Sequence, residues 1–249
     1  MSPTPPIPPL PPILPFLQAM TYADSAYPSG RYTLSHGLEG LVQAGRADDV
    51  TTLLLDHLRY TAAPGDGVAT AAAAGAGYDD RDMIVTLDHE LSATKVTGEL
   101  RRASTRVGRQ MLQVTAEVEA RLGTVQPEPL LSYAAAVAAK ETPGNQAVVA
   151  GLIHSSHNLT PAGAVATELT GLAVGWAGAA LRLRRCDHID AQVMITAAHP
   201  VIAELAGECA GVARGLRASG GWRLLGRASP GSDLASAAHE TAPARLFMS

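Results

Sequence analysis

Aromatic side chains are scarce: they make up 4% of the 249 residues, with two tryptophans and two phenylalanines. Strands favour aromatic and β-branched residues, so this shortage weighs against a sandwich or barrel. Charge is also thin, at 17%, and slightly acidic, with 23 Asp and Glu against 19 Lys and Arg. A net charge of −4 gives no electrostatic case for nucleic acid or an anionic membrane as a partner. The only two cysteines, Cys186 and Cys209, make no disulfide framework and read as reduced thiols of a cytosolic protein. The longest nearly uncharged stretch, Leu169 to Leu181, lies between Glu168 and Arg182. It is shorter than the roughly 20 residues that span a bilayer. It reads as a helix buried in a core or at an interface. The N-terminus has no basic n-region, and prolines interrupt its apolar residues, so no signal peptide is expected. No G-x-x-x-x-G-K-[ST] and no strand–G-x-G-x-x-G–helix unit occurs, which excludes the usual cradles for GTP and NAD. G-x-S-x-G, H-E-x-x-H and paired C-x-x-C are missing as well.

What the chain does have is alanine, at 45 positions. Alanine is the best helix former, and a 47% hydrophobic content is ample for a core. The fold expected is an all-α helical bundle of about nine or ten helices with mostly short connections. Eight of the 17 prolines fall between Pro3 and Pro15. Residues 1–15 therefore read as a proline-rich disordered arm, 16–226 as the helical domain and 227–249 as a C-terminal partner-binding tail. Within the domain, Thr33 to Ala44 reads as a helix stopped by Gly45. Asp48 or Asp49 caps the next helix, and Pro64-Gly65-Asp66-Gly67 ends it. The strongest 3.6-residue period runs from Asp82 to Arg121, through Leu87, Leu91, Leu100, Ala103, Val107 and Met111. Pro161 opens a long apolar helix to about Arg185, and Ile189–Ala197 and Val201–Leu216 read as two more helices. In the tail, Asp233 is placed as the cap of a short helix through Glu240.

Metal ligation is the sharpest chemical possibility. His36 and Glu39, and His154 and His157, are spaced i, i+3, while Cys186, Asp187, His188 and Asp190 cluster after the apolar helix. Surface or cap roles compete with ligation in each case. Gly171, Gly175 and Gly178 on the apolar helix read either as close core packing or as a homodimer seam.

Four segments together resemble the urease accessory protein F (UreF) family. The first is Asp24-Ser25-Ala26-Tyr27-Pro28-Ser29-Gly30, followed by Tyr32, His36 and Gly37-Leu38-Glu39. The second is Glu99-Leu100-Arg101 with Ser104 and Gly108-Arg109. The third is the glycine- and alanine-rich helix from Thr167 to Gln192. The fourth is Asp233 to Glu240 with His239, then Arg245-Leu246-Phe247 and Ser249. Arg31 and the Arg184–Asp190 turn depart from the family's pattern. The resemblance implies a cytoplasmic, non-enzymatic scaffold with no cofactor, usually a homodimer. Such a scaffold joins UreD (UreH), recruits and regulates the GTPase UreG, and serves nickel insertion into the urease apoprotein. The partner-binding residues it implies are Asp24, Ser25, Tyr27, Pro28, Gly30, Tyr32, His36, Glu39, Glu99, Arg101, His239, Glu240, Arg245, Leu246 and Phe247. No catalytic or metal residue is assigned. The alternative is a stand-alone nickel-binding chaperone using His36, His154, His157 or His188.

Overall fold

Seven consecutive residues, Val68–Ala74, are all buried, and around this alanine-rich helix the others assemble. A helix apolar on every side belongs in a core, and alanine lets its neighbours approach closely. The computed structural model describes residues 13–77, 80–226, 229–243 and 245–247. Residues 1–12 of the expected arm and Ser249 of the tail motif lie outside the described residues, whereas residues 13–15, expected in the arm, open the first helix. The helices are α1 (Ile13–Ala23), α2 (Leu38–Gln43), α3 (Val50–His57), α4 (Val68–Ala74), α5 (Arg81–Thr94) and α6 (Gly98–Leu122). They continue with α7 (Glu128–Ala138), α8 (Gln146–Ser156), α9 (Pro161–Arg182), α10 (His188–Ser219) and α11 (Pro230–Glu240). No strand occurs among the described residues, and the fold is an all-α helical bundle.

α9 and α10 pack along each other as a long hairpin, and α4 lies against α8, α9 and α10. α6 covers α8, α1 lies on α9, and α11 docks on α2 and α6. Trp176 of α9 is fully buried, and its indole Nε1–H donates to the Val50 carbonyl (3.1 Å). α9 and α10 are long and apolar enough to cross a membrane by length and composition, but half of the α9 stretch is buried within the bundle.

Local signals hold where the backbone decides alone. Asp49 caps α3, its Oδ1 accepting from the Thr51 and Thr52 amides, and Gly45 ends α2 with φ +67°. Elsewhere the packing redraws the boundaries. The helix expected over Thr33–Ala44 is a 3₁₀ turn, Arg31–Thr33, and then the short α2, because His36 and Gly37 take positive φ between them. Pro64 does not end the helix that contains it. The chain widens into a π-helical stretch, Leu58–Gly67, which absorbs the proline and runs on into α4. The Pro64 carbonyl accepts from the Gly226 amide (2.9 Å). The period from Asp82 to Arg121 is cut at Thr97, whose hydroxyl caps α6. Ile189–Ala197 and Val201–Leu216 are one helix, α10, with Pro200 on its exposed side. α11 begins at Pro230, in the first-turn position that proline tolerates, so Asp233 lies in its first turn rather than at its cap. The Cys186–Asp190 cluster is a capping box: the Asp187 carboxylate accepts from the Ile189 and Asp190 amides and starts α10.

Candidate functional site

Glu39 sits in the first turn of α2 and Glu99 in the first turn of α6, and both are buried. Acids are favoured at helix N-termini, but a buried carboxylate also needs donors. His239, on α11, supplies them from between the two. Its Nε2 lies 2.8 Å from Glu39 Oε2 and its Nδ1 lies 3.0 Å from Glu99 Oε2. An imidazolium can donate to both carboxylates, whereas a neutral ring can donate to one. The backbone past α11 closes the cluster. The Leu246 amide donates to Glu39 Oε1 (2.8 Å) and the Phe247 amide to Glu39 Oε2 (3.0 Å). Arg245 Nη1 donates to Glu99 Oε1 (3.0 Å). Gly40 allows the approach of α11, since a Cβ there would meet the Ala235 carbonyl oxygen at 2.6 Å. Phe247 is 5% exposed and joins the core, whereas Leu246 beside it is 75% exposed. The Arg182 guanidinium lies over two rings, 4.1 Å from the Tyr32 centroid and 4.3 Å from that of Phe247. This links the tail to the loop that leads into α2, where Tyr32 is 59% exposed.

A second buried network fixes the start of that loop. Arg31 Nη1 donates to Glu168 Oε2 (3.0 Å), and Gln146 Nε2 donates to the same oxygen (3.0 Å). His154 Nε2 lies 3.0 Å from Glu168 Oε1. Burial alone would raise the Glu168 carboxyl pKa; the Arg31 charge and the His154 contact outweigh it and hold the pKa at about 2. Gly171 and Gly175 of α9 face the Arg31 guanidinium and the His36 ring, so within the described residues they make room for this loop.

Between the two networks lies a cavity of about 190 Å³, with His36 and His57 in its wall. The His36 Nε2 is sealed from solvent without a hydrogen-bond partner. Burial, then His57 and Arg31, push the His36 pKa down to about 3. Burial, partly opposed by Asp66, puts that of His57 at about 4. Both rings are therefore neutral near pH 7.

Of the residues singled out in the sequence, Glu39, Glu99, His239, Arg245, Leu246 and Phe247 meet in one place. Glu240 borders it, paired with Arg102 (3.0 Å), and Tyr32 joins through Arg182. Gly30 (φ +80°) shapes the loop, and its carbonyl accepts from Arg106 (3.3 Å). Asp24, Ser25 and Pro28 are exposed, and Asp24 uses Oδ1 to accept from the Ala26 amide (2.8 Å). Tyr27 packs on Tyr22 (4.8 Å between centroids), and burial raises its phenol pKa. Arg101 turns to the Val96 carbonyl (3.1 Å).

The two i, i+3 pairs do not form joint metal sites. His36 faces the cavity while Glu39 faces His239, and His154 faces Glu168 while His157 contacts Gln18 and Tyr22. Among the described residues no group of three or more His, Cys, Asp or Glu is arranged to hold a metal ion. Sequence reasoning missed Arg182 and Glu168 as site residues. Their signal was available, since they are the lone charges at the two ends of the apolar stretch in α9.

The carboxylates of this arrangement hold a loop and a tail against one face. The sequence profile of UreF matches residues 45–199. The urease accessory protein UreF 2 of Brucella canis is 29% identical over 235 residues, covering 93% of this chain and 91% of that protein. The urease accessory protein UreF of Yersinia pseudotuberculosis is 30% identical over 181 residues, covering 71% of this chain and 76% of that protein. With a profile match over more than half its length, and with relatives aligned along most of it, the chain belongs to the UreF family of urease accessory proteins.

Proposed function

We propose that this protein is a non-enzymatic scaffold of urease maturation in the cytoplasm. It joins UreD (UreH), recruits and regulates the GTPase UreG, and so serves delivery of nickel, as cargo, to the urease apoprotein. The observation that carries this reading is the convergence of three distant segments on one node. Glu39, Glu99, and His239 with Arg245 lock a loop and a tail into one face, and that face leaves the apolar side chains of Tyr32 and Leu246 in solvent. Rigidly held aromatic and aliphatic side chains at a surface are what a partner's pocket recognises. A scaffold acts on a GTPase by binding one of its conformations more tightly than another. We also infer a homodimer, supported by apolar side chains in solvent such as Ile189 and Val193 of α10. Co-production of the tagged chain with UreD and UreG, followed by pull-down and a urease activation assay, tests the reading. Recovery of both proteins and chain-dependent activation are expected. Recovery of neither, with activation indifferent to the chain, overturns it.

A further inference from the structure

On α6, from Leu100 to Ala116, there are four arginines and no carboxylate, in a chain whose net charge is −4. Arg102, Arg106, Arg109 and Gln113 follow i, i+4, i+7, i+11 and so share one helix face. With Thr105 and Gln110 they make a shallow, open surface on α6. A guanidinium offers five N–H donors, and its best partner is a carboxylate bound in bidentate fashion. Within the described residues this row is short of such partners. Arg106 Nη2 reaches the Gly30 carbonyl (3.3 Å) and the Thr33 hydroxyl (3.1 Å), and its Nε is sealed with no acceptor. Arg109 Nη2 reaches the Pro143 carbonyl (3.2 Å). Arg102 alone has a carboxylate, Glu240, but the Arg102 side chain is 72% exposed, and such surface pairs exchange at little cost. The row also borders the loop and the helix of the proposed partner face, through Gly30 and Glu240.

We propose that the α6 arginine row is a docking strip for an acidic segment of a partner protein, one whose Asp or Glu side chains replace the carbonyl and surface contacts now made. This rests on the scaffold reading above. A protein segment is favoured over nucleic acid because the chain as a whole is acidic, which repels a phosphate backbone beyond the strip.

The test uses the full chain and two double variants, Arg102→Gln/Arg109→Gln and Arg102→Lys/Arg109→Lys. Arg106 is left in place because it pins the loop. A labelled decaglutamate peptide and a DNA duplex serve as probes, at about 50 and about 300 mM salt. The same variants are scored for recovery of UreD and UreG. Expected are peptide binding by the parent chain that weakens with salt, and a loss of about tenfold in the Gln variant. The Lys variant should fall between, melting temperature should be unchanged, and accessory-protein recovery should fall with peptide affinity. Peptide binding by the Gln variant equal to that of the parent overturns the proposal, as does undiminished recovery of the accessory proteins. Preference for the duplex assigns the strip to nucleic acid and overturns it too. Failure of the parent chain to recover either accessory protein defeats the scaffold reading, and the peptide result then decides the strip alone.

Discussion

Two buried carboxylate centres hold this molecule together in different ways. Asp88 of α5 is fully buried, and its oxygens accept from five neutral donors. They are the Tyr133 and Thr142 hydroxyls, the Gly144 and Asn145 amides, and the Asn145 side-chain amide. All belong to α7 or to the turn before α8, and the ladders of the neighbouring helices hold them. Glu39 is satisfied instead by His239 and by the amides of Leu246 and Phe247, which lie about two hundred residues further along the chain. The first centre is a sealed knot of the body. The second is a latch whose donors sit on α11 and the segment after it, with an exposed leucine inside it. A buried carboxylate costs the fold dearly unless it is paired, and the location of its donors decides whether that pairing can open locally.

The largest effect should come from cutting the knot. Asp88→Ala strands five donors and should cost about 3–5 kcal/mol, read as a lower urea midpoint. A loss below about 1 kcal/mol would mean that the two centres do not differ as described. Gly108→Ala attacks the same turn from α6, because its Cβ would run into the Gly144 carbonyl oxygen, and the turn backbone has no flexible end to yield.

Next in size is the contrast between two adjacent tail residues. Phe247→Ala should cost about 3 kcal/mol, since the ring is core. Leu246→Ala should stay within about 0.5 kcal/mol while reducing recovery of UreD or UreG. Equal stability losses, or no change in recovery with Leu246→Ala, would break the description of a latch that presents one side chain and buries the other.

Acid should act in two stages. His36 and His57 have native pKa values of about 3 and about 4, depressed from 6.5, so the unfolded chain binds more protons below pH 6.5. Stability therefore falls as pH drops from about 6.5, by on the order of 1–2 kcal/mol per ring near pH 5. Glu168 has the usual carboxylate sign. Its native pKa of about 2 contributes stability above the ordinary value of 4.5, and that contribution fades as pH falls towards 2. Urea midpoints from pH 7 to pH 3 should show both limbs, and His36→Asn/His57→Gln should flatten the upper one. An upper limb of unchanged slope in that variant would remove the histidines from the account.

The smallest stability effect belongs to Tyr32→Ala, within about 0.5 kcal/mol, because the ring lies half in solvent over Arg182. Its consequence is expected in accessory-complex yield. An unchanged yield would take Tyr32 out of the partner face.

Much of this was legible in the residues. The alanine load and the Leu87–Met111 period announced helices, and the Asp48–Asp49 pair and Gly45 marked boundaries, with Asp49 the member that caps, because a cap or stop depends on a few neighbouring backbone groups. The family motifs pointed to Glu39, Glu99, His239 and Arg245. Illegible were the tail's two faces and the role of Arg31. Leu246 and Phe247 are equally apolar in sequence, and only docking on α2 separates them. Arg31 reads as a departure from a pattern until Glu168, on α9, is seen opposite it.

By itself, then, the sequence determined an all-α body and a few of its boundaries, since helix propensity and apolar periodicity act within a few residues of each other. The tertiary structure decided where Pro64 and Pro200 are carried inside helices and where His36-Gly37 breaks one, because packing energy there outweighs local preference. It also decided which charges meet. Glu39 and His239 are 200 residues apart in the chain, and the cost of leaving either buried and unpaired is settled only once the helices that carry them are in place.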